Sequence, residues 1–218
     1  MITRFARLLA LSGLLLAGNA AAEGFALGVK AGTLGAGVEG TFGLSPRFSV
    51  RLGANSFTYA YDETASGIQY DADLDLKSGA LLLDWHPFRG VFRISAGYMY
   101  NKNALHLTAT PTQDQQIGGQ TYTPAEIGTL TGDMTFKKGV PYAGFGWGNA
   151  ARGRGFGFSL EIGAMLQGSP EVTLRGDGGL AGDPAFEDDL RQEEQQIEED
   201  LKEFKVYPVI SLGLSFNF

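Results

Sequence analysis

Every second residue is apolar over the last fifteen positions of the chain. The apolar residues are Phe204, Val206, Pro208, Ile210, Leu212, Leu214, Phe216 and Phe218, and the residues between them are mostly small or polar. Successive side chains of a β-strand point to opposite faces, and about 9 to 11 residues of such alternation cross a bilayer as a tilted strand. The pattern predicts a strand with one face toward lipid and the other toward a lumen.

The same alternation recurs in seven earlier segments, which cover residues 25–32, 34–42, 48–55, 68–86, 92–100, 132–148 and 156–167. Leu34 and Leu76 fall on the predicted lipid face. In the fourth segment the apolar positions change phase around Ser78 and Gly79, which predicts a β-bulge because one extra residue exchanges the two faces. Eight strands close an antiparallel barrel. We therefore predict an all-β fold, an eight-stranded antiparallel transmembrane β-barrel with both termini in the periplasm.

The connections between the predicted strands are short at one end and long at the other. Residues 43–47, 86–90 and 149–155 would form periplasmic turns, and residues 33–35, 61–67, 101–130 and 168–203 would form the extracellular connections. This asymmetry is typical of outer-membrane barrels. In the last connection Phe186, Leu190, Ile197, Leu201 and Phe204 recur at helical spacing. They predict a short acidic helix in the last extracellular loop, packed on the barrel mouth.

Acidic residues are concentrated in these extracellular segments. The predicted acidic mouth comprises Asp71, Asp73, Asp75, Glu193, Glu194, Glu198 and Glu199. Such a mouth would attract cationic solutes. The alternative interpretation is a solvated helix face without a binding role.

The N-terminus has the pattern of a secretory signal peptide. Arg4 and Arg7 precede an apolar run over residues 8–17, and three alanines follow at residues 20–22. The run is shorter than the roughly 20 residues of a membrane helix, and the alanines offer a cleavage site. We predict that residues 1–22 form the signal peptide and that residues 23–218 form the outer-membrane β-barrel.

Composition narrows the class of partner. The chain has no cysteine, so the predicted secreted fold relies on no disulfide. Removing Arg4 and Arg7 leaves 15 basic against 24 acidic side chains, a formal net charge of −9. This charge argues against nucleic acid as a partner. The expected partners are outer-membrane lipid and lipopolysaccharide, the barrel-assembly machinery during insertion, and small cationic or zwitterionic solutes. We expect a monomer.

The lumen-facing positions carry charges of both signs. The predicted lumen charge network consists of Lys30, Glu39, Arg51, Asp84, Arg93 and Glu161, and the predicted polar residues beside it are Tyr142, Gln167 and Tyr207. Unpaired charges in a narrow interior cost several kcal/mol per ion, so we predict a charge-balanced plug. The plug is either a gated binding ladder for a zwitterionic solute or a static support for strand register.

Enzymatic and metal chemistry find little support in the sequence. The two histidines, His86 and His106, fall in a predicted turn and a predicted loop, and neither belongs to a recognisable nucleophile–base pattern. Two isolated histidines without cysteine provide no metal ligand cluster. We therefore predict no catalytic residue, no metal and no cofactor. Adhesion or another surface role through the long loops stays open as an alternative.

Several segments resemble the CarO-type outer-membrane proteins, also described as carbapenem-associated outer-membrane proteins or ornithine-uptake porins. The segments are Pro141 to Gly148, Phe156 to Ala164, Gln167 to Leu174 and Tyr207 to Gly213, together with the acidic helix and residues 70–76 before Trp85-His86-Pro87. The resemblance implies an eight-stranded barrel that takes up ornithine, other basic amino acids and small amino acids. The last strand, which ends with Phe216 and Phe218, also resembles the signal by which outer-membrane barrels are recognised for insertion. A narrow amino-acid channel is thus one hypothesis, and a closed barrel with structural, adhesive or surface-interaction loops is the other.

Overall fold

The protein is described by a computed structural model that covers residues 24–65 and 68–218. The predicted signal peptide lies outside these residues, so its cleavage stays a prediction. The described strands and helices are β1 (Phe25–Gly32), β2 (Gly35–Ser45), β3 (Phe48–Ala65), β4 (Ile68–Trp85), β5 (Phe92–Asn101), β6 (Ala104–Pro111), β7 (Gln115–Ile117), β8 (Gln120–Tyr122), α1 (Pro124–Ile127), β9 (Leu130–Thr135), β10 (Gly139–Trp147), β11 (Gly155–Met165), β12 (Glu171–Gly176), α2 (Pro184–Asp200) and β13 (Tyr207–Asn217).

Eight of these strands form a closed antiparallel ring. The order is β1, β2, β3, β4, β5, β10, β11 and β13, and β13 pairs again with β1. The predicted all-β fold with a ring of eight strands is confirmed. We call the end where β2 turns into β3 the proximal end and the opposite end the distal end. Short turns connect the ring strands at the proximal end, whereas the longest connections lie at the distal end.

A second sheet region extends beyond the ring at its distal end. The distal halves of β3 and β4 continue past the ring, and β6, β9 and β12 add to β4 in that order. We call these five strands the distal sheet. The prediction of one strand over residues 132–148 is wrong, because β9 belongs to the distal sheet and β10 to the ring. Residues 61–67 and 101–130, predicted as loops, also contain much of the distal sheet.

The predicted bulge in β4 is also wrong. The pairing of β3 with β4 runs without a register shift from Phe48 opposite Trp85 to Ala65 opposite Ile68. The apolar residues change face because the surroundings change. In the ring, the odd-numbered Leu81, Leu83 and Trp85 are exposed on the outer face of the barrel. In the distal sheet, the outer face of β4 carries aspartates, and its even-numbered positions lie on the side of the sheet where α2 packs, so they are apolar.

The inner face of the distal sheet packs under α2. Pro184 opens this helix, and the side chain of Asp183 caps it by accepting hydrogen bonds from the backbone N–H groups of Ala185 (2.9 Å) and Phe186 (3.2 Å). Phe186 and Leu190 are fully buried and form a small apolar core with Ile117 of β7 and Ile127 of α1. The main contacts of α2 are with β12 and β7, so it rests on the distal sheet. We call the distal sheet with β7, β8, α1 and α2 the distal layer.

The outer face of the ring is apolar around its circumference. Exposed side chains there include Leu27, Val29, Val38, Leu52, Leu81, Leu83, Phe158, Ile162, Leu212 and Leu214. Val38 is 61% exposed, Leu212 is 65% exposed and Phe158 is 82% exposed. A continuous surface of this kind is the opposite of what water favours and suits contact with hydrocarbon.

Within the described residues, neither helix combines the length and the apolarity needed to cross a bilayer.

Candidate functional site

An ion-pair cluster fills the middle of the ring, with Arg51 of β3 at its centre. The guanidinium donates to both carboxylate oxygens of Asp84, from Nε at 2.6 Å and from Nη2 at 3.0 Å. Its Nη1 donates to Glu39 at 3.2 Å and also to Glu161. Arg51 is 3% exposed and Asp84 is 1% exposed. One arginine thus joins carboxylates from three strands, β2, β4 and β11, in a largely buried site.

The other two predicted lumen cations complete the cluster. Arg93 of β5 donates to Glu161 at 2.8 Å and to the carbonyl oxygen of Gly148 at 2.8 Å. Lys30 of β1 donates to Glu39 at 2.9 Å. Gly146 of β10 lies opposite both Arg93 and Glu161, and a Cβ there would approach the Arg93 guanidinium carbon to 3.3 Å. The bare glycine backbone lets these two side chains meet across β10. All six charged residues predicted for the lumen therefore lie together, three of each sign.

Three uncharged side chains bind the carboxylates of this cluster. Ser49 and Ser95 flank Asp84 on the neighbouring strands, and Ser95 donates to it at 2.6 Å. The hydroxyl of Tyr142 donates to Glu161. The sequence pattern indicated Tyr142, but it missed the two serines. The strand register could have indicated both serines, since they occupy lumen-facing positions directly beside Asp84.

The other two predicted polar lumen residues lie apart from the cluster, near the distal end. The amide nitrogen of Gln167 donates to the backbone oxygen of Phe204 at 3.2 Å. The hydroxyl of Tyr207 donates to the backbone oxygen of Thr33 at 2.5 Å. The hypothesis that they complete the hydrogen-bonded charge cluster is wrong, although Tyr207 packs against the apolar layer that also fills the lumen. Each fixes a connection next to its own strand end instead of reaching the ring centre.

An apolar layer, which the sequence interpretation missed, closes the lumen on the distal side of the cluster. It consists of Leu34, Leu82, Met99, Val140, Tyr142, Met165 and Val209, all buried. Leu34, assigned to the lipid face, instead turns inward, because it lies in the turn between β1 and β2. Leu76 is likewise buried. Apolar residues occupy lumen positions of five ring strands and could have indicated this layer, but we had assumed a polar interior.

Little empty space is left in the ring. One cavity of about 30 Å³ borders Lys30, Arg51 and Arg93, and another of about 10 Å³ borders Lys30, Tyr142 and Glu161. These volumes are the space open to the centre of a water-sized sphere, of which a single water needs about 10 to 15 Å³. Neither cavity can hold an amino acid, so the lumen is closed by an ionic layer and an apolar layer in series.

Both histidines have polar neighbours that the sequence did not indicate. Ser49 Oγ lies 3.5 Å from His86 Nε2 and 3.4 Å from an oxygen of Asp84, all three side chains being buried. The adjoining cavity of about 30 Å³ has no room for a substrate beside this serine. His106 Nδ1 lies 2.5 Å from Asp133 on the distal sheet. In the described part of the chain, no three His, Asp or Glu side chains are grouped as a metal ion would require.

The predicted acidic mouth does not form a single surface. Asp71, Asp73 and Asp75 occupy the odd positions of β4, whereas the even positions Leu82 and Asp84 are buried in the lumen. The three aspartates therefore lie on the outer face of the distal sheet, opposite the face that α2 covers. Their assignment to a common mouth with α2 is wrong, because the assumed bulge had reversed the two faces.

Two of the predicted acidic residues of α2 bind backbone. Glu198 accepts from the N–H of Val172 at 2.9 Å, and Glu194 accepts from the N–H of Leu174 at 2.6 Å. These N–H groups lie on the free edge of β12. The two glutamates are four residues apart on the helix, a rise of about 6.0 Å, and the two N–H groups are two residues apart on the strand, a rise of about 6.6 Å. The two spacings therefore match. The helix thereby covers a sheet edge that would otherwise be open to pairing.

The remaining residues of the predicted acidic set on α2 have different surroundings. Glu193 accepts a hydrogen bond from the N–H of Gly118 at 3.2 Å, whereas Glu199 is exposed and pairs with Lys202. Nearby, Tyr122 donates to Asp189 at 2.5 Å, and this hydrogen bond raises the pKa of Tyr122 to about 12. The carboxylates of α2 thus serve largely to hold the distal layer together.

The two C-terminal phenylalanines lie on the outer face at the proximal end. The Phe216 ring stands 5.2 Å from that of Phe156 and 5.2 Å from that of Phe218, and the Phe218 ring stands 5.9 Å from that of Phe25. These aromatics form part of a band near the strand ends, as at a membrane interface. Their role as an insertion signal stays a prediction.

Eight antiparallel strands closed into a ring, with an apolar outer face and a filled lumen, give the fold of a small β-barrel. The solved structure of Acinetobacter baumannii CarO2 is similar with a TM-score of 0.59 and 22% identity, over 89% of this chain and 98% of that chain. Acinetobacter baumannii CarO is similar with a TM-score of 0.57 and 23% identity, over 90% of this chain and 98% of that chain. No protein-family model and no curated protein sequence matches the chain. The structural likeness shows the fold.

Proposed function

We propose that the protein is an outer-membrane β-barrel whose lumen is closed at rest and whose activity resides in the distal layer at the cell surface. The closed lumen carries this proposal. Six paired charges and a complete apolar layer leave cavities of only about 30 and 10 Å³. Meanwhile, about half of the described chain builds structure outside the ring, which is more than a plain membrane anchor needs.

The proposed location and orientation rest on the surface of the ring. Its apolar outer face would be unfavourable in water and favourable in hydrocarbon. Short turns mark the periplasmic end of such barrels and long connections mark the extracellular end. The proximal end, with Phe25 and Asn217 beside each other on β1 and β13, would then face the periplasm. The distal layer would face the medium.

A gated channel for small or basic amino acids such as ornithine is the second candidate. One observation favours it. Lys30 borders both lumen cavities, and its ammonium is held by a single carboxylate, that of Glu39. Displacing this side chain is the smallest movement that would join the two cavities. A basic amino acid could take its place at Glu39, because it would carry the same charge.

Flux into liposomes separates the two candidates. Ornithine, arginine, glycine and glutamate would be offered to liposomes containing the refolded barrel, with Glu161→Gln and Lys30→Met variants alongside. Glu199→Gln, on an exposed pair of α2, is the matched control. We expect no flux above empty liposomes from barrel shown to be folded by its gel mobility before heating. Selective entry of the basic amino acids, altered by the lumen variants but not by the control, would establish the channel instead.

A further inference from the structure

The distal layer contains a cavity that the closed ring does not use. It lies between the inner face of the distal sheet and α2, and its volume is about 210 Å³. Seven elements supply its walls, namely β4, β6, β7, α1, β9, β12 and α2, and the lining includes Tyr70, Ile117, Ile127, Leu174 and Ile197. We call it the distal cavity. It is about seven times the volume of the larger lumen cavity.

The walls of the distal cavity are mainly apolar. Ile117 and Ile127 are almost fully buried, and they belong to the small core that also contains Phe186 and Leu190. The cavity is thus a gap in the side of a packed core rather than a groove on a polar surface. Natural cores leave few voids larger than a water molecule. A cavity of about 150 Å³ with similar walls stays dry and takes up benzene.

Polar groups enter the cavity on one side only. Glu193 of α2 lines it together with Gln115 and Gln116, which flank the apolar Ile117. One carboxylate oxygen of Glu193 accepts the Gly118 N–H. The other oxygen makes no hydrogen bond within the described residues, and the side chain is half-buried. A carboxylate in this position favours a cation, because the charges are opposite and no arginine or lysine lines the cavity.

We propose that the distal cavity is a binding site for a small amphiphilic amine, in which one ring or a short branched hydrocarbon carries a single ammonium group. The hydrocarbon occupies the space between Tyr70, Ile127 and Leu174. The ammonium donates to Glu193 and to an amide oxygen of Gln115 or Gln116. This proposal rests on the proposed function at the cell surface, and it adds the chemical class of the ligand. The liposome flux described above tests closure of the ring, whereas binding at the cavity is measured separately.

Binding to the full barrel in lipid nanodiscs tests the proposal. The probes are 2-phenylethylamine, 2-phenylethanol and phenylacetate, which share a ring and differ in charge, and calorimetry with empty nanodiscs corrects for lipid partitioning. We expect one amine per chain, at least tenfold weaker binding of the alcohol, and no binding of the anion. Equal affinity for the amine and the alcohol would show that the cavity does not recognise the ammonium group. If none of the three probes binds, the distal cavity is not a binding site.

Two kinds of variant locate the site. Glu193→Gln should lower the affinity for the amine about tenfold without affecting that for the alcohol, whereas Glu199→Gln, an identical charge change on the exposed side of α2, should change neither. Ala109→Phe and Ile197→Phe fill the cavity from the sheet and from the helix respectively, and each should abolish binding of both. Unchanged binding in both filled variants would place the amine elsewhere and overturn the proposal. Hydrogen exchange of the β12 amides serves as the folding control. A variant in which these amides stay protected has kept the distal layer folded.

Discussion

At the scale of single residues, Arg51 has the largest structural role because it contacts three buried carboxylates. Replacing it by methionine keeps much of the side-chain volume but leaves Asp84 without its bidentate partner. Breaking a buried ion pair in this way costs about 3 to 5 kcal/mol. We expect Arg51→Met to lower the free energy of unfolding by that amount, measured with urea and tryptophan fluorescence in lipid vesicles. Arg47→Met, in the exposed turn before β3, is the control. Equal stability of the two variants would show that the cluster is not what holds the strands in register.

Gly163 tests how tightly the lumen is filled. A Cβ at this position would lie 2.3 Å from the hydroxyl oxygen of Tyr142, whereas a Cβ at Gly40, on the outer face of β2, would meet nothing closer than 3.8 Å. Overpacking a filled interior costs about 1 to 3 kcal/mol. We expect Gly163→Ala to destabilise the barrel by this amount in the same urea titration. Gly40→Ala should have almost no effect, and a similar loss from both would indicate a general strand effect of alanine instead.

At the scale of elements, α2 is held to β12 by paired contacts. Glu194 and Glu198 each accept one edge N–H, and a hydrogen bond to a charged group contributes about 1.5 to 3 kcal/mol. We expect the double variant Glu194→Ala, Glu198→Ala to speed hydrogen exchange of the Val172 and Leu174 amides by roughly tenfold or more. Glu199→Ala should leave both rates unchanged. Exchange that is already fast in the unaltered chain would show that the helix does not protect this edge.

Element boundaries also show where sequence patterns succeed and fail. Alternation located the ring strands, since each has an apolar outer face on one side and a narrow lumen on the other. It could not distinguish β9 from β10, because both keep the same period while pairing with different partners. In β4 the polarity reversal arose from a change of surroundings, which a single strand does not reveal. The capping role of Glu194 depends on where α2 lies, and the helical spacing alone could not indicate it.

At the scale of the whole molecule, the ring and the distal layer divide the chain between two tasks. Every residue of the ionic cluster lies on a ring strand, and so does nearly every residue of the apolar layer. The sequence could therefore predict the charged plug from the lumen-facing positions alone. The distal cavity, in contrast, is assembled from seven elements that alternation does not relate to one another, so only the tertiary structure reveals it.

This division predicts that the ring closes without the distal layer. Replacing residues 102–138 by a tight turn would join β5 directly to β10, which already pair as a hairpin, and would remove β6 to β9 and α1. We expect the shortened chain to insert and to show the gel mobility of a folded barrel, because all eight ring strands are kept. It should remain impermeable to ornithine and glycine, because both lumen layers are kept. It should lose amine binding, because several walls of the distal cavity are removed. Flux that appears only in the shortened chain would mean that the distal layer helps to close the barrel, and the two parts would then have to be treated as one gate.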